Sequence, residues 1–400
     1  MADLYARLRT GRYRVPVIKR VYIPKGNGKR RPIGISTIED RLVQKAEAWV
    51  LSAVFEQDFL ECSHGFRPKH SPHTALHRLR EGMRQNGARW VVEADLASYF
   101  DEIDHTALLD RVRQRIGDRR VLALVKAFLK AGILSEDGVE RDTSTGTPQG
   151  GILSPLLANI ALTALDDHFA EAWAGFGHTS SSRQWRRLQG LATYRLVRYA
   201  DDFVVVVAGK RAHAEAFREE VAAVLGPIGL RLSETKTRIA HVDEGFDFLG
   251  FRIRRHEKRS TGQHLIYTYP SKAALADVKG AVRTLTQGTL NWPLSSLLHQ
   301  LNPLLRGWTT YFRHGVSKAT FNYLRAFVWR RVVNWLRHKH RKRNWAWLRR
   351  RHLPGWWPAD GEVRLFNPGA VSVTRYRYRA NRIPPPWMAT TTIHVSSSLA

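Results

Sequence analysis

"LVRYADDFVVVV", Leu196 to Val207, sets two adjacent carboxylates, Asp201 and Asp202, between two apolar runs. Both flanks are rich in β-branched and aromatic residues. The stretch therefore predicts a hairpin with Ala200 to Asp202 at its tight connection. Two Asp at a turn need mean nothing beyond turn chemistry. A third carboxylate opens a second reading. "WVVEADLASYF" predicts another apolar strand, and Asp95 stands where it gives way to a helix or turn. If that strand pairs beside the hairpin, Asp95 and Asp201 converge at one end of a sheet. Converging carboxylates repel, and without a cation at least one is pushed toward protonation. Hard oxygen ligands suit Mg²⁺, which keeps positions for water and substrate phosphate. Two such ions roughly 3.5–4 Å apart serve phosphoryl transfer.

The composition points to a polyanionic partner. Among 400 residues, 64 are Lys or Arg and 35 are Asp or Glu, a net charge of +29. Such an excess favours nucleic acid. The 13 Trp and 12 Tyr add flat surfaces on which bases stack. No run approaches the roughly 20 apolar residues that span a bilayer, and "MADLYARLRTGRYR" lacks the apolar core of a secretory signal. The single cysteine, Cys62, excludes an internal disulfide framework, and its C-x-H pair with His64 is no metal site by itself. An intracellular, cytoplasmic protein with no membrane partner is expected.

From about Arg14 to Arg254 strands and helices mix. "VIKRVYIPKGNGKRRPIGIS" alternates, breaks at Gly26-Asn27-Gly28 and resumes, a hairpin signature. A helix follows, capped by Ser36 or Thr37, with Leu42, Val43, Ala46, Val50, Leu51 and Val54 at helical spacing. "GILSPLLANIALTALDDHFAEAW" reads as one long helix, and "GHTSSSRQWRR" as a mobile surface loop. "RRHEKRSTGQH" reads as a polar linker, and the chain turns helical from about Ser271. Between Pro303 and His352 there are fourteen Lys and Arg and no Asp or Glu. Phe321, Leu324, Val328, Val332 and Trp335 fall on one side of a helix there, and Arg330, Arg337 and Arg341 on the other. Solvated faces usually mix signs, so this one predicts a nucleic-acid surface. The tail alternates Arg375, Tyr376, Arg377, Tyr378 and Arg379, as a strand with two unlike faces would.

These blocks resemble a known family. "YADD" between apolar strands resembles the active-site hairpin of reverse transcriptases, and "VEADLASYFDEIDH" the strand bearing their first catalytic Asp. "GTPQGGILSPLLANIAL" resembles the segment that follows. "RVYIPKGNGKRRPIGISTIEDRLVQKA" and "SHGFRPKHSPHTAL" resemble the fingers, and "LRLSETKTRI" and "FDFLGFRI" the last palm blocks. All stand in order. With "LNPLLRGWTTYFRHGVS" and its basic helix resembling the thumb and maturase domain, the resemblance is to group II intron-encoded reverse transcriptases, or maturases.

The resemblance implies an α+β right-hand polymerase. Its fingers and palm would occupy 1–255, a linker 256–270, a helical thumb 271–350 and a basic tail 351–400. Asp95, Asp201 and Asp202 would be the catalytic triad. Asp95 and Asp201 would be the main ligands of two Mg²⁺ ions, with the Leu96 carbonyl assisting and Asp202 supporting. Phe100 would lie under the incoming sugar and select deoxynucleotides. Gln149 would line the nucleotide pocket, with Gly150 and Gly151 letting backbone approach. Lys25 and Arg31 would hold the triphosphate, and Lys236 would protonate the departing pyrophosphate. The partners implied are intron RNA, an RNA template with a DNA primer, and dNTPs.

The chain departs from that family in two places. Only "MADLYARLRTGRYRVPV" precedes the first fingers strand, where relatives carry several dozen more residues that add a fingers block gripping the template, so either a truncated copy or a missed upstream start is expected. No His-Asn-His pattern is present, so no endonuclease is expected. Three rival readings remain: an RNA-binding splicing factor with an unused polymerase site, a domesticated or defence-associated reverse transcriptase, and a two-metal nuclease. The Phe100 and Gln149 blocks speak against the nuclease.

Overall fold

The computed structural model describes residues 2–24, 30–134, 140–141, 145–258, 262–374 and 376. The chain divides into two compact units, with the boundary between Ala240 and His241.

The first unit is built on a four-stranded sheet in the order Thr193–Tyr199, Asp202–Ala208, Trp90–Ala94 and Arg238–His241. The strand Asp202–Ala208 pairs antiparallel on both sides, in registers Tyr199↔Asp202 and Ala94↔Phe203. Its run from Phe203 to Ala208 is apolar throughout because both faces are covered. Phe203, Val205 and Val207 join a core with Leu165, Phe169, Phe217 and Val221, which lie on the helices Thr163–Gly175 and Arg211–Leu225. On the opposite face the helix Pro72–Asn86 approaches closely enough at Gly82 that an added Cβ would lie 3.7 Å from the Val206 side chain.

Ahead of this sheet the strands Ile18–Pro24 and Arg30–Ile35 form the expected antiparallel hairpin. Its turn, with Lys25, lies outside the described residues. The helix Ile38–Phe55 starts at a capping box in which the Thr37 side chain accepts from the Asp40 amide and Asp40 accepts from the Thr37 amide. It buries Val43, Leu51 and Phe55, but Leu42 and Val50 are exposed. The buried face is partly polar instead, carrying Asp40, Gln44 and Glu47.

Two further expectations fail in this unit. The segment read as one long helix is two, Ser154–Ala161 and Thr163–Gly175, meeting at Leu162. The Ser-rich stretch read as a loop is the helix Ser180–Leu188, started by a capping box between Thr179 and Ser182. Serine helps that helix to begin, although it disfavours helix interiors.

The second unit begins about fifteen residues earlier than the expected boundary at 255. The stretch 256–270 expected to be a linker runs instead into two paired strands, Phe251–Lys258 and Gln263–Pro270, with Phe246–Phe248 on the other edge. Phe251, Ile253 and Thr268 face the interior, while Arg252 and Arg255 pair outward with Asp247 and Asp243. One face of charge made the sequence look like a linker. Ser271 caps the helix Lys272–Gln287, donated to by the Ala274 amide. The helices Leu294–Phe312, Lys318–Lys339 and Trp345–His352 follow. Phe321, Leu324, Val328, Val332 and Trp335 are all buried, as their spacing predicts. The expected tail from 351 is part of this unit through 374, with Leu353, Ala359 and Leu365 buried. Most of its Arg-Tyr alternation lies outside the described residues.

Candidate active site

The turn joining Tyr199 to Asp202 has two residues, Ala200 and Asp201, so Asp202 opens the second strand rather than sitting in the loop. Ala200 has φ +56, the left-handed backbone that tight hairpin turns demand. The register Ala94↔Phe203 carries Asp95, one step beyond its strand, beside Asp202. The convergence expected from sequence is therefore dictated by register. Past Asp95 the chain is clipped to the segment 231–233. The Ser233 amide donates to the Asp95 carbonyl (2.8 Å), the Ala97 amide to the Arg231 carbonyl (3.0 Å), and Leu96 bridges Leu232.

The three carboxylates feel one another. Burial, then the charge of Asp95, raises the Asp201 carboxyl above its ordinary value, against the pull of Arg31 and Lys236. Asp202 is pushed up to about 6 by burial, then by Asp201 and Asp95. Its tip keeps contact with solvent, but neighbouring protein displaces much of its water. The Lys236 ammonium donates to Asp95 Oδ2. Mutual repulsion among three carboxylates, relieved at one of them by an ammonium, is the electrostatic signature of a cation-binding donor set. Among the described residues no group of three or more His, Cys, Asp or Glu side chains is arranged to hold a metal ion, and Asp95 is engaged by Lys236. The donor chemistry is that of hard carboxylate oxygens, and a divalent ion would have to displace this ammonium to reach Asp95.

The other predicted nucleotide residues gather nearby in part. Phe100 lies on the short helix Tyr99–Glu102, edge-on to Tyr99, and its carbonyl accepts from the Thr147 amide (2.6 Å). The Gln149 carbonyl accepts from the Gly34 amide (2.6 Å), joining its loop to the strand that carries Arg31. Gly150 has φ +107, and a Cβ there would lie 2.8 Å from the Gly34 carbonyl, so glycine is required. Arg330 and Arg337 are exposed on the helix Lys318–Lys339 in the second unit. Arg341 is exposed too, but the helix ends at Lys339 and leaves it in the following turn.

Sequence reasoning missed the support beneath the hairpin. Arg198 is fully buried, and all its donors are used. Nε and Nη2 bind Asp166, Nη2 also binds Ser63 Oγ (2.7 Å), and Nη1 binds Asn159 Oδ1 (3.0 Å) and the Ala200 carbonyl (3.1 Å). Asn159 in turn donates to the Gly65 carbonyl (2.7 Å). Gly65 packs so closely that a Cβ there would lie 2.2 Å from the Ala200 nitrogen. The turn bearing Asp201 is thus held by its own backbone from below. The available signal was a lone Arg in the quoted strand and an Asn and an Asp on apolar helices.

Comparison with known proteins agrees with this geometry. Residues 23–253 match the family described as reverse transcriptase (RNA-dependent DNA polymerase). The chain belongs to the reverse transcriptase family. Residues 275–353 match the maturase-specific domain of group II introns. Protein YkfC of Escherichia coli is 39% identical over 286 residues, covering 67% of this chain and 74% of that protein. The group II intron-encoded protein LtrA of Lactococcus lactis is 35% identical over 292 residues, covering 62% of this chain and 48% of LtrA. The chain thus spans about half the length of LtrA. The nuclear intron maturase 1 of Arabidopsis thaliana is 23% identical over 295 residues, covering 54% of this chain and 40% of that protein. The α+β fold, the reverse transcriptase domain and the maturase domain stand together, and both domains imply binding of RNA. Polymerases of this family work with divalent metal ions. No described helix is long and apolar enough to cross a membrane.

Proposed function

We propose that this reverse transcriptase extends a DNA primer on an RNA template and also binds a group II intron RNA through its maturase domain. The observation that carries the reading is the strand register that brings Asp95, Asp201 and Asp202 to one end of the sheet, with Lys236 bound to Asp95. Asp95 and Asp201, with the Leu96 carbonyl, would hold Mg²⁺, and Asp202 would support them. Two bound Mg²⁺ ions would supply positive charge to the attacking hydroxyl, the α-phosphate and the leaving oxygen. Arg31 would take the triphosphate by a paired guanidinium contact. Phe100 would close the floor beneath the sugar, and Gln149 and Gly150 would line the pocket against the Gly34 strand. Lys236, released from Asp95 by the incoming cation, would be free to donate its proton to the departing pyrophosphate. Lys25 would join the triphosphate site, although it lies outside the described residues.

The test is primer extension on an RNA template with Mg²⁺ and dNTPs. The double variant Asp201→Ala, Asp202→Ala should lose extension by at least about 10³-fold and keep its affinity for RNA. One observation favours a second reading, that of a splicing cofactor with an unused polymerase site. Lys236 already neutralises Asp95. That reading predicts no extension by the wild-type chain even at high Mg²⁺, with RNA binding intact.

A further inference from the structure

The second unit holds a cavity of about 1000 Å³ between the end of the helix Lys318–Lys339 and the start of the helix Trp345–His352. Val333 and Leu348 form its buried apolar floor. Arg337, His338, Arg341 and Arg343 stand around it, and no carboxylate lines it among the described residues. Trp329 and Trp345 complete the wall. Trp345 is 39% exposed and its neighbour Trp356 is 52% exposed, with ring centroids 6.2 Å apart at 38°. Leaving two indoles partly in water forgoes apolar burial.

Trp356 carries a second, independent sign. Its φ is +65, following Gly355 at +62. A bulky residue in the left-handed region is strained, and such strain concentrates at binding sites. It is held in place from behind, since Trp329 Nε1 donates to its carbonyl at 2.8 Å. The Arg349 guanidinium lies 5.1 Å from its ring centre.

We propose that this cavity receives an unstacked base of single-stranded RNA, stacked on the Trp345 ring that Trp356 backs, with Arg337 and Arg341 on its flanking phosphates. This rests on the RNA-binding reading above and deepens it. An apolar floor with an aromatic wall matches a base face, and an all-cationic rim matches phosphate. A paired base has both faces covered by its neighbours in the stack. Only a base in a loop, bulge or free strand can offer a face to an indole.

The full chain is tested by fluorescence anisotropy against labelled oligouridine and against a fully paired RNA hairpin of equal charge. Trp345→Ala should weaken oligouridine binding about tenfold and hairpin binding by less than about twofold. Trp345→Phe should keep most of the oligouridine affinity, which separates a stacking loss from a folding loss. Equal losses on both RNAs, or no loss on either, overturn the proposal while leaving RNA binding by the chain in place. Wild-type protein that binds neither RNA overturns both readings. Polyglutamate that displaces oligouridine at matched charge, and whose own binding depends on Arg337 and Arg341 but not on Trp345, would overturn the proposal and assign the cavity to acidic peptide instead.

Discussion

Glu47 lies on the helix Ile38–Phe55 with only 8% of its surface exposed. Neither carboxylate oxygen has a hydrogen-bond partner among the described residues. Burial alone pushes its carboxyl up to about 8. The folded state therefore holds a proton that the unfolded state releases near its ordinary value of 4.5. Between those limits the folded form binds more protons, so stability falls as pH rises from about 4.5 to 8. Glu47→Gln removes the titration. We expect the difference in unfolding free energy between variant and wild type to grow with pH across that window, the variant exceeding wild type at pH 8 by on the order of 1–3 kcal/mol. Chemical denaturation at several pH values checks this, and an unchanged wild-type slope in the variant would refute it. Glu47 also shows why some residues resisted reading. Its helix was assigned from six apolar residues, of which Val43 and Leu51 are buried but Leu42 and Val50 are exposed, and the face that packs also carries Gln44 and Glu47. Gln44 is buried because its Oε1 accepts from the Ile152 amide, a long-range bond that helical periodicity cannot contain.

At the scale of elements, the hairpin of Asp201 and Asp202 depends on a neighbour far away in sequence. Gly65 lies against Ala200 with no room for a Cβ. Gly65→Ala must push the turn away and misplace both carboxylates. A misplacement of about 1 Å typically costs 10²-fold in rate. Primer extension should therefore lose about 10²-fold in kcat with KM for dNTP little changed, and extension at the wild-type rate would show that the turn is not held here. The hairpin and the convergence of its carboxylates with Asp95 were legible because apolar strands flank the pair and a third Asp ends another apolar strand. Their support was not, because Arg198, Asn159, Asp166 and Gly65 meet only through tertiary packing. The helix Lys318–Lys339 was legible for the opposite reason, since its five-residue apolar stripe is local. Leu324→Ala, at a fully buried position, should lower stability by about 2–5 kcal/mol. Arg330→Ala, on the exposed face, should change it by no more than about 0.5 kcal/mol. Thermal unfolding of the two variants side by side tests that contrast.

At the scale of the whole chain, charge is the property most readily read and the least tied to fold. The net +29 resides heavily in the second unit, where the fourteen cations between Pro303 and His352 face no acidic residue within that stretch. Charge also misled where it was read as a boundary. The polar run at 254–264 contributes, at 254–258 and 263–264, to the paired strands Phe251–Lys258 and Gln263–Pro270, in which Arg252 and Arg255 pair with Asp247 and Asp243. A cationic surface binds RNA by releasing counterions, so affinity for single strands falls with salt at about 0.7 log units per neutralised phosphate per log unit of salt. Arg330, Arg337 and Arg341 are exposed, and none has a carboxylate partner among the described residues. If each meets one phosphate, replacing all three with Ala should flatten the log–log salt dependence of RNA binding by about 2. Thermal stability should stay near wild type, since the buried stripe of their helix is untouched. A parallel weakening at every salt concentration, with the slope unchanged, would mean that these arginines shape the protein and do not meet the RNA backbone.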